Sequence, residues 1–220
     1  MVTWNSLDKD QQDLGLEILR RGVEMSAKSV HNFTNEDVKI EEFEITELPS
    51  GEDYIQLLGS KNAFVSEIYG EANGISILKL ANGDQKRLYK KCLQEDAQST
   101  ISAEKFAPFI LEFNNATTSA AITQYADLLD IDMKNGLPKN VTASREVIAD
   151  RFTYRMEKEN MAHFMVHAKL VTSESNIALD YYIILEEMVI DEIGFMAEDW
   201  ITKRQLNYTY TQTLQKKHWM

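Results

Sequence analysis

The order of the predicted elements repeats along the chain, and this repeat constrains the fold more than any other feature. Residues 10–31 place apolar side chains at steps of three and four, which is typical of an amphipathic helix. Residues 38–48 alternate apolar and acidic side chains, as a half-buried strand does. Further strand-like runs at 54–58, 62–70 and 74–80 precede a short helix through Leu93.

The second half follows the same plan, about 95 residues further on. A helix is predicted over Pro108–Asp130, then strand-like segments over 140–152 and 161–171, and a strand from 178 that runs into a helix. We therefore predict an α+β fold of two pseudo-symmetric halves, each a helix plus antiparallel strands, with the sheet packed on the long helices. The predicted organisation is one domain over 1–220, with halves at about 8–93 and 103–200 and a helical C-terminal extension at 197–220.

Composition excludes several classes of protein. The net charge is −12, so a nucleic-acid partner, which needs a basic surface, is not expected. The same charge argues against binding to anionic lipid, and no apolar run is long enough for a membrane helix. Cys92 is the one cysteine and can form no internal disulfide. These features predict a cytoplasmic protein.

The helix predicted over Pro108–Asp130 has a polar face that carries a glutamate and an asparagine one turn apart. Successive residues advance by about 100°, which places Glu112 and Asn115 together and Ile110, Phe113 and Leu128 on the opposite, buried side. The other residues on the polar face are small, so a partner surface could approach closely. On spacing alone, a solvated helix face is the better explanation of this pair, and a resemblance is what favours a functional one.

Residues 108–138 resemble the CheC/CheX/FliY family of chemotaxis phosphatases. The signature of that family is Asp or Ser, three residues, Glu, two residues, Asn, and then 22 residues to a proline. Glu112, Asn115 and Pro138 match it, with Ala116 to Leu137 as the 22 intervening residues. Pro108 departs from it, because it stands where Asp or Ser is usual; that position caps or supports the helix and does not react.

The resemblance implies a CheC-like fold and a hydrolase of two-component signalling in chemotaxis. Family members dephosphorylate the response regulator CheY, whose receiver domain holds a phosphoaspartate, a lysine and its own Mg²⁺. The phosphorylated receiver is thus the implied partner, and it supplies the Mg²⁺, so no cofactor of the chain's own is expected. By the same resemblance, Asn115 orients the attacking water and Glu112 engages the lysine of the receiver.

The first half carries a degenerate copy of the signature. Asp13 and Glu17 keep their spacing, but Arg20 stands where the asparagine belongs and Phe43 where the proline belongs. Arginine has only donors and no carbonyl acceptor, so it cannot hold a water as an amide does. We predict that the first site is lost and that one working site remains, as in CheX-like members.

Two other interpretations stay open at this stage. The middle domain of the flagellar switch protein FliM resembles this fold, lacks the Glu–Asn signature and serves as a structural docking module. The chain could likewise be a non-enzymatic adaptor that docks a receiver or a flagellar switch component. The degenerate half could instead bind a CheD-like modulator, and the aromatic tail from Tyr208 to Trp219 could pack on the core or form a homodimer.

Metal binding and thiol chemistry have weaker support in the sequence. His163 and His167 are four residues apart, but they lie in a strand-like run without a carboxylate at the spacing of a zinc protease. Cys92 follows two lysines, yet no His–Asp arrangement accompanies it. We therefore predict no metal site and an unreactive, packed thiol.

Overall fold

The structure is a computed structural model that describes residues 3–48, 63–94, 103–140 and 163–199. A 3-10 turn over Trp4–Ser6 precedes the first helix. The helices are α1 (Lys9–Thr34), α2 (Asn82–Leu93), α3 (Ala103–Leu129) and α4 (188–199). The strands are β1 (Val38–Leu48), β2 (Ala63–Gly70), β3 (Gly74–Lys79), β4 (Met133–Asn135), β5 (Lys139–Asn140), β6 (His163–Thr172) and β7 (Ala178–Glu186).

The predicted elements within these ranges are confirmed, with one correction to a helix start. β1 has the predicted bounds, and the strand from 178 runs into a helix as expected. However, α3 begins at Ala103 and not at Pro108, so the proline is exposed inside the helix and is not in its first turn. The extra turn is stabilised because the ring of Phe106 packs edge-on against Tyr89 of α2. The segment predicted as a strand at 54–58, all but the first residue of the one predicted at 140–152, and residues 200–220 of the predicted C-terminal extension lie outside the described residues.

Strands from both halves alternate in a single sheet. Within the described ranges the sheet has seven strands in the order β1-β6-β7-β3-β2-β4, with β5 also pairing with β2, and every pairing is antiparallel. Exchanging the two halves, β1 for β4, β2 for β6 and β3 for β7, reverses this order and leaves it otherwise unchanged. The pseudo-symmetric halves are therefore confirmed, and they share one sheet and one core.

The two long helices cross antiparallel on one face of the sheet. Their close approach depends on Gly22, because a Cβ at that position would lie 2.0 Å from the Tyr125 ring. The Tyr125 hydroxyl donates to the Leu19 carbonyl at 2.9 Å, and Ser26 Oγ donates to the Thr117 carbonyl at 2.8 Å. These contacts fix α3 against α1 and so determine which of its faces remains accessible.

Equivalent positions in the two halves are 95 residues apart from the long helices to the first strand that follows. Asn35 ends α1 and Asp130 follows α3, each in the left-handed conformation with φ of 54°. β1 then begins at Val38 and β4 at Met133. A residue in the region of the second-half signature can therefore be compared with its counterpart in the first half by subtracting 95.

Candidate functional site

Glu112 projects from α3 into solvent, as its position on the helix predicts. Ile110 and Phe113 are 1% and 0% exposed, so the burial of these two neighbours sets the rotation of the helix. Glu112 itself is exposed, and none of the described residues forms an ion pair with it. Its carboxylate is available to a cation from outside the chain.

Asn115 lies one turn further along α3 and is half-buried. Its Oδ1 accepts a hydrogen bond of 3.1 Å from Nδ2 of Asn135 in β4, and the same Nδ2 lies 3.3 Å from Ser119 Oγ. Asn135 is placed opposite Ile68 of β2 by the sheet register. The edge of the sheet thus holds the carboxamide of Asn115 in one plane.

The carboxamide of Asn115 keeps hydrogen-bonding capacity on its open side. An amide oxygen has two lone pairs, and Asn135 occupies one of them. Its NH₂ group has no partner among the described residues. The second lone pair and the two N–H groups could therefore hold a water molecule or a polar atom of a partner beside Glu112.

Asn114 precedes Asn115 in sequence but has a structural role. It is fully buried, and its Nδ2 donates to Ser66 Oγ of β2 at 3.1 Å. This bond and the one between Ser76 and Thr118 at 3.1 Å join α3 to the sheet. Two adjacent asparagines thus differ in environment because one faces the sheet and the other faces its open edge.

Pro138 lies between the short strands β4 and β5, which both pair with β2. A proline there costs no ladder hydrogen bond, because it stands between strands. The preceding residue, Leu137, is 82% exposed, and Tyr69 of β2 is 49% exposed. Pro138 thus stands three residues after Asn135 and directly after the exposed Leu137, and the Tyr69 ring lies near the intervening Gly136.

The equivalent face of the first half is differently built. Asp13, Glu17 and Arg20 are all exposed, but Glu17 Oε1 lies 2.6 Å from Arg21 Nη2 in an ion pair. Arg20 pairs with Glu24 at 3.4 Å.

Subtracting 95 extends the comparison to the residues around Asn115. Arg20 replaces Asn115, Glu24 replaces Ser119 and Ile40 replaces Asn135. At these positions the first half has no amide pair, and the glutamate that keeps the signature spacing is in an ion pair with Arg21.

Asn135 is a site residue that the sequence did not indicate. It precedes Gly136, and such a pair is typical of a turn. The strand that holds it has three residues, which is too short to show a period of two. The 95-residue offset was the one available signal, since it pairs Asn135 with a residue of the predicted strand 38–48.

The other candidates form no catalytic group in the described part of the chain. His163 and His167 lie on β6, where four residues span about 13 Å, too far to share a metal. No group of three or more His, Cys, Asp or Glu side chains there could hold a metal ion. Burial raises the pKa of Cys92 to about 11, so at neutral pH it is a thiol and not a reactive thiolate.

A buried carboxylate elsewhere, Glu36, also escaped the sequence analysis. It is 2% exposed and accepts hydrogen bonds from the backbone of Glu174 and Ser175, while Lys91 Nζ lies 2.7 Å from its Oε1. Burial alone would raise the pKa of Glu36, but these donors together lower it to about 2. Its partners are internal, so Glu36 joins α1, α2 and the β6–β7 turn.

None of the helices in the described ranges is long and apolar enough to cross a membrane. No protein-family profile matches the chain, and no curated protein sequence is significantly similar to it.

Solved structures give clear similarities at low sequence identity. FliY of Thermotoga maritima has 13% identity and a TM-score of 0.57, and the match covers 90% of this chain and 98% of that one. The FliM middle domain of H. pylori has 9% identity and a TM-score of 0.55, with 85% and 98% covered. CheX in the CheX–CheY–BeF₃–Mg²⁺ complex of Borrelia burgdorferi has 8% identity and a TM-score of 0.50, with 76% and 96% covered.

At these identities the likeness establishes the fold and not the activity. The predicted CheC-like fold is confirmed: the chain has the α+β architecture shared by FliY, CheX and the FliM middle domain.

Proposed function

We propose that the chain is a phosphatase that accelerates dephosphorylation of a phosphoaspartyl, CheY-like receiver domain. The observation that carries the proposal is the pair on α3. Glu112 is exposed and forms no ion pair with any described residue, and the carboxamide of Asn115, one turn away, is held in place. The likeness to a CheX solved in complex with CheY supports the choice of partner.

The reaction requires few catalytic groups from the phosphatase. A water oxygen attacks the phosphorus, the bond between phosphorus and the aspartyl oxygen breaks, and inorganic phosphate and a free carboxylate result. The receiver supplies the Mg²⁺ and the lysine that stabilise the developing charge, so the chain needs no metal of its own. What remains is to hold the water in line, and one oriented carboxamide can do that.

In this proposal Glu112 fixes the position of the receiver. An unpaired carboxylate can form a charge-assisted hydrogen bond with the receiver lysine, which aligns Asn115 with the phosphoryl group. The net charge of −12 assists the approach to a lysine-bearing pocket. Glu17 of the first half already pairs with Arg21 on the surface, so a receiver lysine would have to compete with that arginine.

The test is the decay of a radiolabelled phospho-receiver in the presence of the full chain. We expect Asn115→Ala to lower kcat by about 10²-fold or more, because water positioning is lost. Glu112→Ala is expected to act mainly on KM, through weaker docking. Thr123→Ala, an exposed change two turns along the same helix, and Arg20→Ala in the lost site serve as controls that keep the wild-type rate.

Two results would contradict the proposal. One is wild-type protein that leaves the decay of CheY-type receivers unchanged, and the other is Asn115→Ala protein with wild-type kcat. Thermal unfolding of each variant must accompany the assay, since Asn115→Ala also removes a partner of Asn135.

A non-enzymatic adaptor is the second candidate function. The FliM middle domain matches nearly as well as FliY, and Pro108 and the lost first site fit an adaptor better than an enzyme. Wild-type protein that binds a receiver or a flagellar switch component without accelerating phosphate loss would support it. A CheD-like modulator, a homodimer and a cytoplasmic location remain predictions.

A further inference from the structure

We infer that Asn135 is a positioning residue that sets the orientation of the Asn115 carboxamide for the reaction. The inference rests on the proposed phosphatase function, and it assigns a role to a residue outside the 112–115 pair and the proline. Asn135 would act only through Asn115 and would not touch the receiver.

Both side-chain hydrogen bonds of Asn135 reach residues of α3, and one of them is to Asn115. Its Nδ2 lies 3.1 Å from Asn115 Oδ1 and 3.3 Å from Ser119 Oγ, both on α3. Its own Oδ1 is buried and has no partner among the described residues. An unpaired buried acceptor costs free energy, so an apolar residue would suit stability better at this position. Asn114 also has an unpaired Oδ1, but its NH₂ group donates to the sheet, whereas that of Asn135 donates to Asn115.

The backbone that carries Asn135 is held firmly. Three residues of β4 pair with β2, and Asn135 lies opposite Ile68. At Gly70, φ is +138° and a Cβ would lie 2.1 Å from the Asp132 carbonyl oxygen, so this glycine permits the two chains to meet closely. Glu71 adds two hydrogen bonds to the Asp132 backbone, at 2.7 and 2.8 Å. Because its backbone is fixed in this way, Asn135 Nδ2 can hold the Asn115 carboxamide in one orientation.

The duplication within the chain provides an independent argument. At the positions 95 residues earlier, Asn115 corresponds to Arg20 and Asn135 to Ile40. The amide on the helix and the amide on the strand are thus both present in one half and both absent from the other. If Asn135 served only to pack on the sheet, its presence would not be expected to depend on an asparagine at position 115.

The physical effect of Asn135 is to restrict one torsion. The terminal torsion of an asparagine is broad, so an unheld carboxamide rotates between orientations that present oxygen and nitrogen to the same point. With one lone pair of Oδ1 held by Asn135, the second lone pair keeps a constant direction and can accept a hydrogen bond from the attacking water. Loss of the donor therefore lowers the fraction of Asn115 in the productive orientation.

The experiment uses the full chain with Asn135→Leu and, in case that variant folds poorly, Asn135→Asp, which has the same size and no N–H. We expect kcat for phospho-receiver hydrolysis to fall about tenfold with KM unchanged. The double variant Asn115→Ala/Asn135→Leu should be as slow as Asn115→Ala alone, because Asn135 has nothing left to orient. Lys134→Ala, whose side chain faces the other side of the strand, is the matched control.

NMR of the side-chain NH₂ group of Asn115 provides a readout that does not depend on activity. We expect ¹⁵N relaxation of this group to report a rigid side chain in the wild type and faster picosecond-to-nanosecond motion in Asn135→Leu. Wild-type kcat in a folded Asn135 variant, multiplicative rate losses in the double variant, or an NH₂ signal unaffected by the substitution would each overturn the inference. If wild-type protein has no phosphatase activity, the proposed function fails, and the NMR comparison alone decides the role of Asn135.

Discussion

The buried carboxylate of Glu36 is predicted to stabilise the fold, and the structure gives the approximate free energy involved. Glu36 follows the end of α1 and receives the backbone N–H groups of Glu174 and Ser175, while Lys91 of α2 lies 2.7 Å from Oε1. The perturbation is Glu36→Gln, which keeps the shape of the side chain and removes its charge. Glutamine therefore resembles the protonated form of this carboxyl group.

The expected loss is about 3 kcal/mol at neutral pH. The pKa of Glu36 falls from its ordinary 4.5 to about 2 in the folded state, and each pKa unit corresponds to about 1.4 kcal/mol. Because the folded pKa is the lower one, the stabilisation is fully present above about pH 4.5. It is lost progressively as the pH falls from there towards 2, where the carboxyl group is protonated in both states.

The assay is urea denaturation followed by circular dichroism, for wild type and Glu36→Gln, at pH 7, 5, 4 and 3. The difference in the free energy of unfolding should be constant between pH 7 and 5 and shrink below that. Glu174→Gln is the control, since Glu174 approaches the same lysine but is 73% exposed and should change stability by less than about 1 kcal/mol. A Glu36→Gln difference that stays the same from pH 7 to pH 3 would refute the reasoning.

Two further predictions concern the helix crossing and the surface beside the site. Gly22→Ala should destabilise the fold by about 2 kcal/mol or more in urea denaturation, despite alanine's higher helix propensity, because its Cβ meets the Tyr125 ring. Gly83→Ala, with no atom within 4 Å of the added Cβ, should be neutral or stabilising, and equal effects would contradict the packing argument. Leu137→Ser should raise KM for the phospho-receiver up to about tenfold with kcat unchanged, since Leu137 is 82% exposed and its burial on docking would contribute affinity. Phe195→Ser, at a 69% exposed site on α4, should leave KM unaltered, and equal losses in both would indicate a nonspecific effect.

The candidate site was only partly accessible from the sequence. Glu112 and Asn115 could be assigned to the open face of α3 because the apolar positions around them fix the rotation of a helix. Asn135 could not be assigned, because its bond to Asn115 joins a helix to a strand 20 positions further along the chain. The start of α3 was also placed too late, since a proline is common in a first turn and the packing of Phe106 on Tyr89 leaves no local signal.

The sequence by itself determined the types of the elements, the buried side of each long helix and the division into two related halves. It could do so because periodicity and turn residues act locally, over a few positions. The tertiary structure alone decided that β1 pairs with β6, β3 with β7 and β2 with β4, so that each half completes the sheet of the other. It also decided where Glu36 and Asn135 find their partners. Alternation of apolar and polar residues determines which side of a strand is buried. Which strand it pairs with depends on the packing of the whole chain.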